Sequence, residues 1–251
     1  MSDIPEDLFR SSYYDSEYFA GQKGGKSFMN ASGSLHKWSY FNPDGEWLGC
    51  KDIVKAWKEM FGPSNLLDVG CGRGQIVAYA RDIEIEAEGF DYSEWATSDE
   101  GRYPRTKSEW IKCHDATERW PYPDNSFDLI TALDFYEHIY SDDIDFVIDE
   151  MYRVAKKWIF LQIAVIGGGS GAGRHEVGYI FSKDEPIPIG LEGCAVAGHV
   201  TVQNKEFWSD KLLKENVFIR HDLLNWFCSL VDKEVIRNWL LNLILVLEVY
   251  D

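Results

Sequence analysis

Three glycines at alternate positions are the residues that point most directly to chemistry. Gly70, Gly72 and Gly74 lie between a short apolar run at residues 66–69 and a helical pattern at residues 75–81. Alternating glycines let the backbone turn tightly and let a ligand touch main-chain atoms without obstruction by Cβ atoms. The first turn of the following helix would offer free N–H groups to a carboxylate. The spacing therefore predicts a cradle for a nucleotide-like ligand.

Two well-known phosphate-binding loops do not fit this segment. A dinucleotide-binding loop needs a third glycine where Gln75 stands, and a Walker loop needs Gly-Lys followed by Ser or Thr. For the glycines taken alone, a tight strand-to-helix turn in some other α/β protein stays open as the alternative.

Acidic residues end the two strands that are expected to follow. Asp91 ends the run at residues 86–90, and Asp115 follows the run at residues 109–113. Ligands of open parallel sheets bind at the carboxyl ends of the strands. At that edge Asp91 would accept hydrogen bonds from both hydroxyls of a ribose, and Asp115 would take the amino group of an adenine. A helix cap is the alternative role for Asp91.

The elements that must hold these residues alternate along the chain. Further strands are predicted at residues 127–133, 158–166, 217–220 and 241–250, and helices at 52–61, 142–155, 207–216 and 223–238. Continuous apolar strands that alternate with helices indicate a parallel sheet covered on both faces. With right-handed crossovers, this pattern predicts a doubly wound α/β fold.

Together these residues resemble the class I S-adenosylmethionine-dependent methyltransferases, most specifically over residues 65–166. Asp68 and the three glycines are similar to the first motif of that family, although its Pro-Gly-Gly turn before strand five is absent. The resemblance implies S-adenosyl-L-methionine as cofactor and a seven-stranded, mostly parallel sheet whose last strand is antiparallel. It also implies these cofactor-binding residues: Asp68, Gly70, Cys71, Gly72, Gly74, Asp91, Tyr92, Asp115, Ala116, Leu133 and Asp134.

Two histidines are the catalytic candidates. His138 follows the fourth predicted strand, and His199 lies in a Gly-His-Val turn near the end of a glycine- and proline-rich insert. A histidine whose pKa lies near neutral pH can accept a proton from a hydroxyl or an amine. A structural or substrate-contacting role is the alternative for each. The remaining histidines lack the paired spacing of a metal site, so no metal is predicted.

Composition limits the partners and the compartment. The 251 residues include 25 Lys and Arg against 42 Asp and Glu, which gives a formal charge of −17. This field repels phosphate backbones and anionic membrane surfaces, so neither nucleic acid nor membrane is an expected partner. The five cysteines form no C-x-x-C pair, and the first residues are acidic and lack an apolar core. Both features predict a reduced, cytoplasmic location.

The chain, residues 1–251, is expected to form a single methyltransferase domain in four parts. These are an N-terminal cap (1–62), a cofactor-binding core (63–166), a lid-like insert (167–200) and a C-terminal completion of the sheet (201–251). The cap is expected to be a helical extension whose aromatic residues cover the cofactor or form a satellite core. Those residues are Tyr13, Tyr14, Tyr18, Phe19, Trp38 and Tyr40.

The predicted function is methyl transfer to an oxygen or nitrogen of a small acceptor, such as a sugar or a polysaccharide precursor. The oligomeric state is not predicted. One alternative is a catalytically silent protein that still binds the cofactor, and another is an oxidoreductase that uses a nicotinamide cofactor. The missing third glycine and the lack of a Tyr-x-x-x-Lys pair disfavour the oxidoreductase.

Overall fold

A seven-stranded sheet forms the centre of the computed structural model, which describes residues 10–19, 49–168, 177–183 and 198–250. The strands are β1 (Asn65–Val69), β2 (Glu86–Asp91), β3 (Ile111–Cys113), β4 (Phe127–Leu133), β5 (Ala155–Ile163), β6 (Tyr179–Ile180), β7 (Thr201–Val202), β8 (Val217–Ile219) and β9 (Leu243–Val249). The large sheet has the order β3-β2-β1-β4-β5-β9-β8, while β6 and β7 pair separately. Strands β1 to β5 are parallel, and β9 is antiparallel to both of its neighbours. The predicted fold class, with its antiparallel last strand, is confirmed.

Helices cover both faces of this sheet. They are α1 (Ser16–Phe19), α2 (Cys50–Phe61), α3 (Gln75–Asp82), α4 (Glu94–Thr97), α5 (Ser141–Val154), α6 (Lys205–Leu212), α7 (His221–Leu230) and α8 (Lys233–Trp239). Apolar side chains of α2, α3, α7 and α8 share one core cluster, and those of α5 and α6 share the other. Successive residues of a strand belong to different core clusters: Leu66 packs with α2, whereas Leu67 packs with α5. This two-sided burial explains why the strands read as continuous apolar runs.

Helix α2 ends where the sequence indicates. Gly62 takes a left-handed conformation with φ of 54°, and its N–H donates to the carbonyl of Lys58. Such a glycine cap ends a helix because it satisfies a carbonyl of the last turn without a Cβ penalty. Pro63 follows it.

Two element boundaries in the second half of the chain correct the predictions. The fifth strand was expected at 158–166 but spans Ala155–Ile163, because the Ile166 N–H donates to the carbonyl of Gln203 and not to the sheet. The helix expected at 207–216 spans Lys205–Leu212, since Asn204 caps it through the Phe207 N–H. Asn216 instead exchanges hydrogen bonds with Tyr250 beside β8 and β9.

The helical pattern expected at 223–238 is two helices. Helix α7 ends at Leu230, and the Asp232 side chain accepts a hydrogen bond from the Glu234 N–H to begin α8. Aspartate is a preferred N-cap residue because its side chain satisfies a free N–H of the first turn. An internal cap of this kind divides one apolar pattern into two short helices.

Only part of the expected cap and insert can be compared with the structure. Trp38, Tyr40 and most of the insert at 167–200 lie outside the described residues. Tyr13, Tyr18 and Phe19 are buried in a small aromatic cluster of their own. Within the described ranges, no helix combines the length and the apolar character needed to cross a bilayer.

Candidate functional site

The glycine loop is held in a shape that larger residues would disturb. Gly70 and Gly74 have φ of 68° and 79°, in the left-handed region that side chains with a Cβ rarely adopt. A Cβ atom at Gly70 would lie 2.6 Å from the ring of Phe135, and one at Gly74 would lie 2.7 Å from the side chain of Thr106. Gly74 also begins α3. The loop therefore depends on glycine for both conformation and space.

Asp68 and Cys71 support the loop from within the core. The Asp68 carboxylate is buried and accepts a hydrogen bond of 2.7 Å from the Thr131 hydroxyl. Burial raises the pKa of Asp68 to about 7, although the bond from Thr131 opposes this rise. The Cys71 N–H donates to the carbonyl of Phe90, and burial raises the pKa of the Cys71 thiol. A buried, protonated thiol contributes packing and not nucleophilic chemistry.

Asp91 connects the end of β2 to the glycine loop. Its carboxylate accepts hydrogen bonds of 2.7 Å from the Gly72 N–H and 2.8 Å from the Ser93 N–H. Burial raises the pKa of Asp91, and these two bonds oppose the rise. A carboxylate has about four acceptor positions, so two remain for a ligand. Tyr92 follows it with its side chain exposed.

Asp115 and Ala116 lie at the end of β3, beside Asp91. The His114 N–H donates to the Asp91 carbonyl, which places this turn next to the end of β2. One carboxylate oxygen of Asp115 accepts bonds from both the N–H and the hydroxyl of Thr117. Ala116 is buried, and its carbonyl accepts from the indole N–H of Trp120.

Leu133 and Asp134 end β4, on the other side of β1. Asp134 has φ of 48°, an uncommon conformation for a residue with a side chain, and its N–H donates to the Gln162 carbonyl. Burial raises the pKa of Asp134 to about 7. Backbone strain of this kind concentrates at functional sites. We call Asp68, the glycine loop, Asp91 and Asp115 the loop cluster.

The N-terminal segment lies over the loop cluster, which the sequence alone did not establish. The Ser93 hydroxyl donates to the carbonyl of Tyr14, and the ring of Phe19 packs against Trp95 with centroids 5.6 Å apart. A Cβ atom at Gly72 would meet the Phe19 ring at 3.4 Å. Phe19 therefore lies against the glycine loop, and Tyr14 lies beside Ser93.

A second group of candidate residues lies in the turn that follows Asp134 and in the distant segment that packs on this turn. His138 and His199 have ring centroids 4.8 Å apart, and His138 Nδ1 lies 3.0 Å from the carbonyl oxygen of Gly198. The Val200 N–H donates to the Glu137 carbonyl, which docks the chain around His199 on the 3₁₀ turn Tyr136–His138. We call Glu137, His138 and His199 the histidine cluster. The ring of Tyr14 lies 6.0 Å from that of His138 and so connects the two clusters.

Glu137 is the member of this cluster that sequence reasoning did not select. Its side chain is buried, and burial raises its pKa well above the ordinary value, with the nearby Asp134 adding to the rise. A carboxylate oxygen of Glu137 and one ring nitrogen from each histidine all lie within 4.8 Å of one another. The adjacent Glu137-His138 pair was the signal available in the sequence.

Comparisons with known proteins agree with this architecture. Residues 67–158 match the family described as "Methyltransferase domain". Ajmaline N-methyltransferase of Rauvolfia serpentina is 34% identical over 97 residues, which cover 37% of this chain and 33% of that protein. The chain thus matches about a third of the length of this curated relative.

Solved structures give the same result at the level of fold. The plantazolicin methyltransferase BpumL, in complex with a triazolic desmethylPZN analog and SAH, superposes with a TM-score of 0.54 at 13% identity, covering 80% of this chain and 83% of that one. A second structure of BpumL with SAH gives the same score and identity over 81% of this chain. Residues 67–158 thus match a methyltransferase domain, and the strand order agrees with the fold of these solved methyltransferases. The resemblance seen in the sequence is confirmed at this level.

Proposed function

We propose that this protein is an S-adenosylmethionine-dependent methyltransferase that acts on a small-molecule acceptor. The observation that carries the proposal is the convergence of the loop cluster: Asp91 hydrogen-bonds the Gly72 N–H, and Asp115 lies at the next strand end. A glycine loop, a ribose-binding acid and an adenine-binding acid suit the three parts of one nucleoside cofactor. The matched methyltransferase-domain segment supports the same cofactor.

The residues at the loop cluster fit S-adenosylmethionine. Among the described atoms, a Cβ at Gly72 would approach only the Phe19 ring, so a ligand that contacts the backbone there would lie beside this ring. When bound, the cofactor supplies a methyl group on a cationic sulfonium. Asp91 would hold the ribose hydroxyls with its two remaining acceptor positions, and Asp115 the adenine amino group. The other proposed contacts are Asp68, Gly70, Cys71, Gly72, Gly74, Tyr92, Ala116, Leu133 and Asp134.

The proposed acceptor is a small molecule that is methylated on oxygen or nitrogen, with a sugar or a polysaccharide precursor as one candidate. Two relatives support a small acceptor, because their names specify ajmaline and plantazolicin. We propose that His138 and His199 activate this acceptor, either as proton acceptors or by holding a cation that lowers the pKa of a bound hydroxyl. Tyr14 places this pair beside the proposed cofactor site.

We also propose that the whole chain works as one domain in a reduced, cytoplasmic compartment. In this proposal residues 1–62 form the cap, 63–166 the core, 167–200 a lid-like insert and 201–251 the end of the sheet. Four cysteines in the described ranges are free thiols, which supports a reducing environment. The charge of −17 supports a partner other than nucleic acid or an anionic membrane.

Calorimetric titration of the protein with S-adenosylhomocysteine and, separately, with NAD⁺ tests this proposal. We expect binding of S-adenosylhomocysteine alone, because the loop lacks the third glycine of a dinucleotide site. Tight binding of NAD⁺ would favour the oxidoreductase alternative. Binding of S-adenosylhomocysteine, followed by a screen of candidate hydroxyl and amine acceptors that yields no methylated product, would favour the catalytically silent alternative.

A further inference from the structure

The side chain of Glu137 is buried in a way that the protein does not compensate. Its relative exposure is 0%, and among the described residues no donor makes a hydrogen bond of ordinary geometry to either carboxylate oxygen. The backbone N–H groups of Glu137 and Ala164 approach the carboxylate without completing such a bond. Removing a carboxylate from water is unfavourable unless a partner replaces the water. A cation bound beside Glu137 would therefore stabilise its charged form.

The atoms nearest to this carboxylate include two ring nitrogens. One nitrogen from each of His138 and His199 lies within 4.8 Å of a Glu137 oxygen. Because a carbonyl oxygen only accepts, the contact of His138 Nδ1 with the Gly198 carbonyl places the proton on Nδ1. Nε2 of His138 then carries the lone pair. Backbone carbonyls commonly orient metal-binding histidines in this way.

Long-range hydrogen bonds hold the two halves of this cluster together. The Val200 N–H donates to the Glu137 carbonyl at 2.7 Å, and the Thr201 hydroxyl donates to the Ile139 carbonyl at 2.8 Å. These bonds fasten residues on both sides of the histidine pair, across about sixty positions of sequence. A chance approach of two surface histidines would not need such fixation.

We propose that Glu137, His138 and His199 bind a divalent transition-metal ion. Two imidazoles and one carboxylate are the ligand set of Zn²⁺, Mn²⁺ and Fe²⁺ sites, and three protein ligands leave positions open, as in catalytic sites. Ligand atoms around such an ion lie about 3–4 Å apart, given bonds of about 2.1 Å. The most distant pair of these atoms must therefore approach by about one ångström on binding. This proposal does not depend on the cofactor or on the proposed reaction.

Calorimetry with metal alone tests the site. The full chain, stripped of metal with a chelator, would be titrated with Zn²⁺ and, separately, with Mn²⁺, without cofactor or acceptor. Mn²⁺ is included because thiolates prefer Zn²⁺, so a signal with both ions excludes the cysteines as the site. We expect one ion per chain. We expect Glu137→Gln and His199→Gln each to weaken binding at least tenfold, since even loss of an outer partner costs that much.

His221→Gln is the matched control, because His221 is exposed at the start of α7, outside the cluster. It should bind Zn²⁺ like the unchanged protein. Glu137→Gln preserves the volume of the side chain, and its thermal unfolding without metal would show whether the fold is retained. Failure of both ions to bind the unchanged protein would overturn the proposal. The same conclusion would follow if both cluster variants bound metal as tightly as the unchanged protein. In that case His138 and His199 would keep only the role of proton acceptors.

Discussion

The two clusters at the ends of the strands differ in how the protein satisfies their carboxylates. Asp68, Asp91 and Asp115 each accept hydrogen bonds from protein donors, whereas Glu137 accepts none of ordinary geometry among the described residues. The loop cluster is thus organised before any ligand arrives. The histidine cluster contains a buried carboxyl group that none of these donors satisfies. One cluster is therefore held by bonds within the protein, and the other leaves a buried acceptor without a described donor.

The largest effect is expected from Gly70→Ala, which would break the rigidity of the loop cluster. A left-handed alanine costs about 1–2 kcal/mol, and the contact at 2.6 Å with Phe135 must also be relieved. We expect unfolding free energy to fall by about 2–5 kcal/mol in total, since overpacking adds about 1–3 kcal/mol. Affinity for S-adenosylhomocysteine should fall about tenfold or more, because a displaced loop would lose at least one charge-assisted hydrogen bond to the ligand, worth about 1.5 kcal/mol.

Gly62→Ala controls for backbone strain in this experiment. Gly62 has φ of 54°, but a Cβ there would meet only the Lys58 carbonyl, at 4.0 Å. Denaturant unfolding should show the strain of about 1–2 kcal/mol alone, with unchanged affinity for S-adenosylhomocysteine. Equal loss of affinity in both glycine variants would show that the loop geometry is not specific to the ligand.

The loop cluster was predictable from sequence because its signals are local. Alternating glycines and an acid at each strand end can be read within short segments, and the sheet brings them together by topology. The histidine cluster was only half predictable. His138 and His199 could be named as candidates, but their contact, and the burial of Glu137, depend on hydrogen bonds from Val200 and Thr201 to residues about sixty positions earlier.

The ends of the helices and strands also divide into those set by the local sequence and those set by distant contacts. The start of β1 and the glycine end of α2 follow local patterns, whereas the end of β5 is set by the distant Gln203. A continuous apolar run gives no sign of where tertiary partners take over. For the same reason, the position of Tyr14 beside Ser93 and His138 was not readable from composition.

Asp68→Asn tests how the burial of the Asp68 carboxyl changes the free energy of unfolding with pH. The pKa of Asp68 is raised to about 7, so the stability that its protonated form contributes is complete below about pH 4 and is lost as pH rises to about 7. Asparagine does not titrate. The unfolding free energy of the variant minus that of the unchanged protein should therefore rise by about 2–4 kcal/mol over this window, then level off.

Ligand-free urea titrations across pH 4 to pH 8 measure this difference. Asp210→Asn is the control, since Asp210 is exposed on α6, where a substitution should change the unfolding free energy by no more than about 0.5 kcal/mol. A flat profile for Asp68→Asn would contradict the assigned cause, the burial of an ionisable carboxyl.

A smaller effect is expected from Gly198→Ala, which acts on the histidine cluster and on Tyr14 beside it. Gly198 has φ of 79°, and a Cβ there would lie 2.8 Å from the Tyr14 hydroxyl and 3.0 Å from His138 Nδ1. Displacing His138 should weaken Zn²⁺ binding about tenfold, the loss typical of a disturbed outer partner. Gly167→Ala has similar backbone strain, with φ of 77° and no described atom within 4 Å, and should bind Zn²⁺ normally.

The most direct test compares Asp91→Ala with Glu137→Gln by calorimetry, using S-adenosylhomocysteine and Zn²⁺ as separate ligands. Loss of a charged acceptor worth about 1.5–3 kcal/mol should weaken S-adenosylhomocysteine binding by Asp91→Ala about tenfold to a hundredfold. Its Zn²⁺ affinity should stay within about twofold, as expected for independent sites. Glu137→Gln should show the reverse pattern. Unchanged affinity of Asp91→Ala for S-adenosylhomocysteine, with its fold intact by thermal unfolding, would contradict the assignment of the loop cluster as the cofactor site.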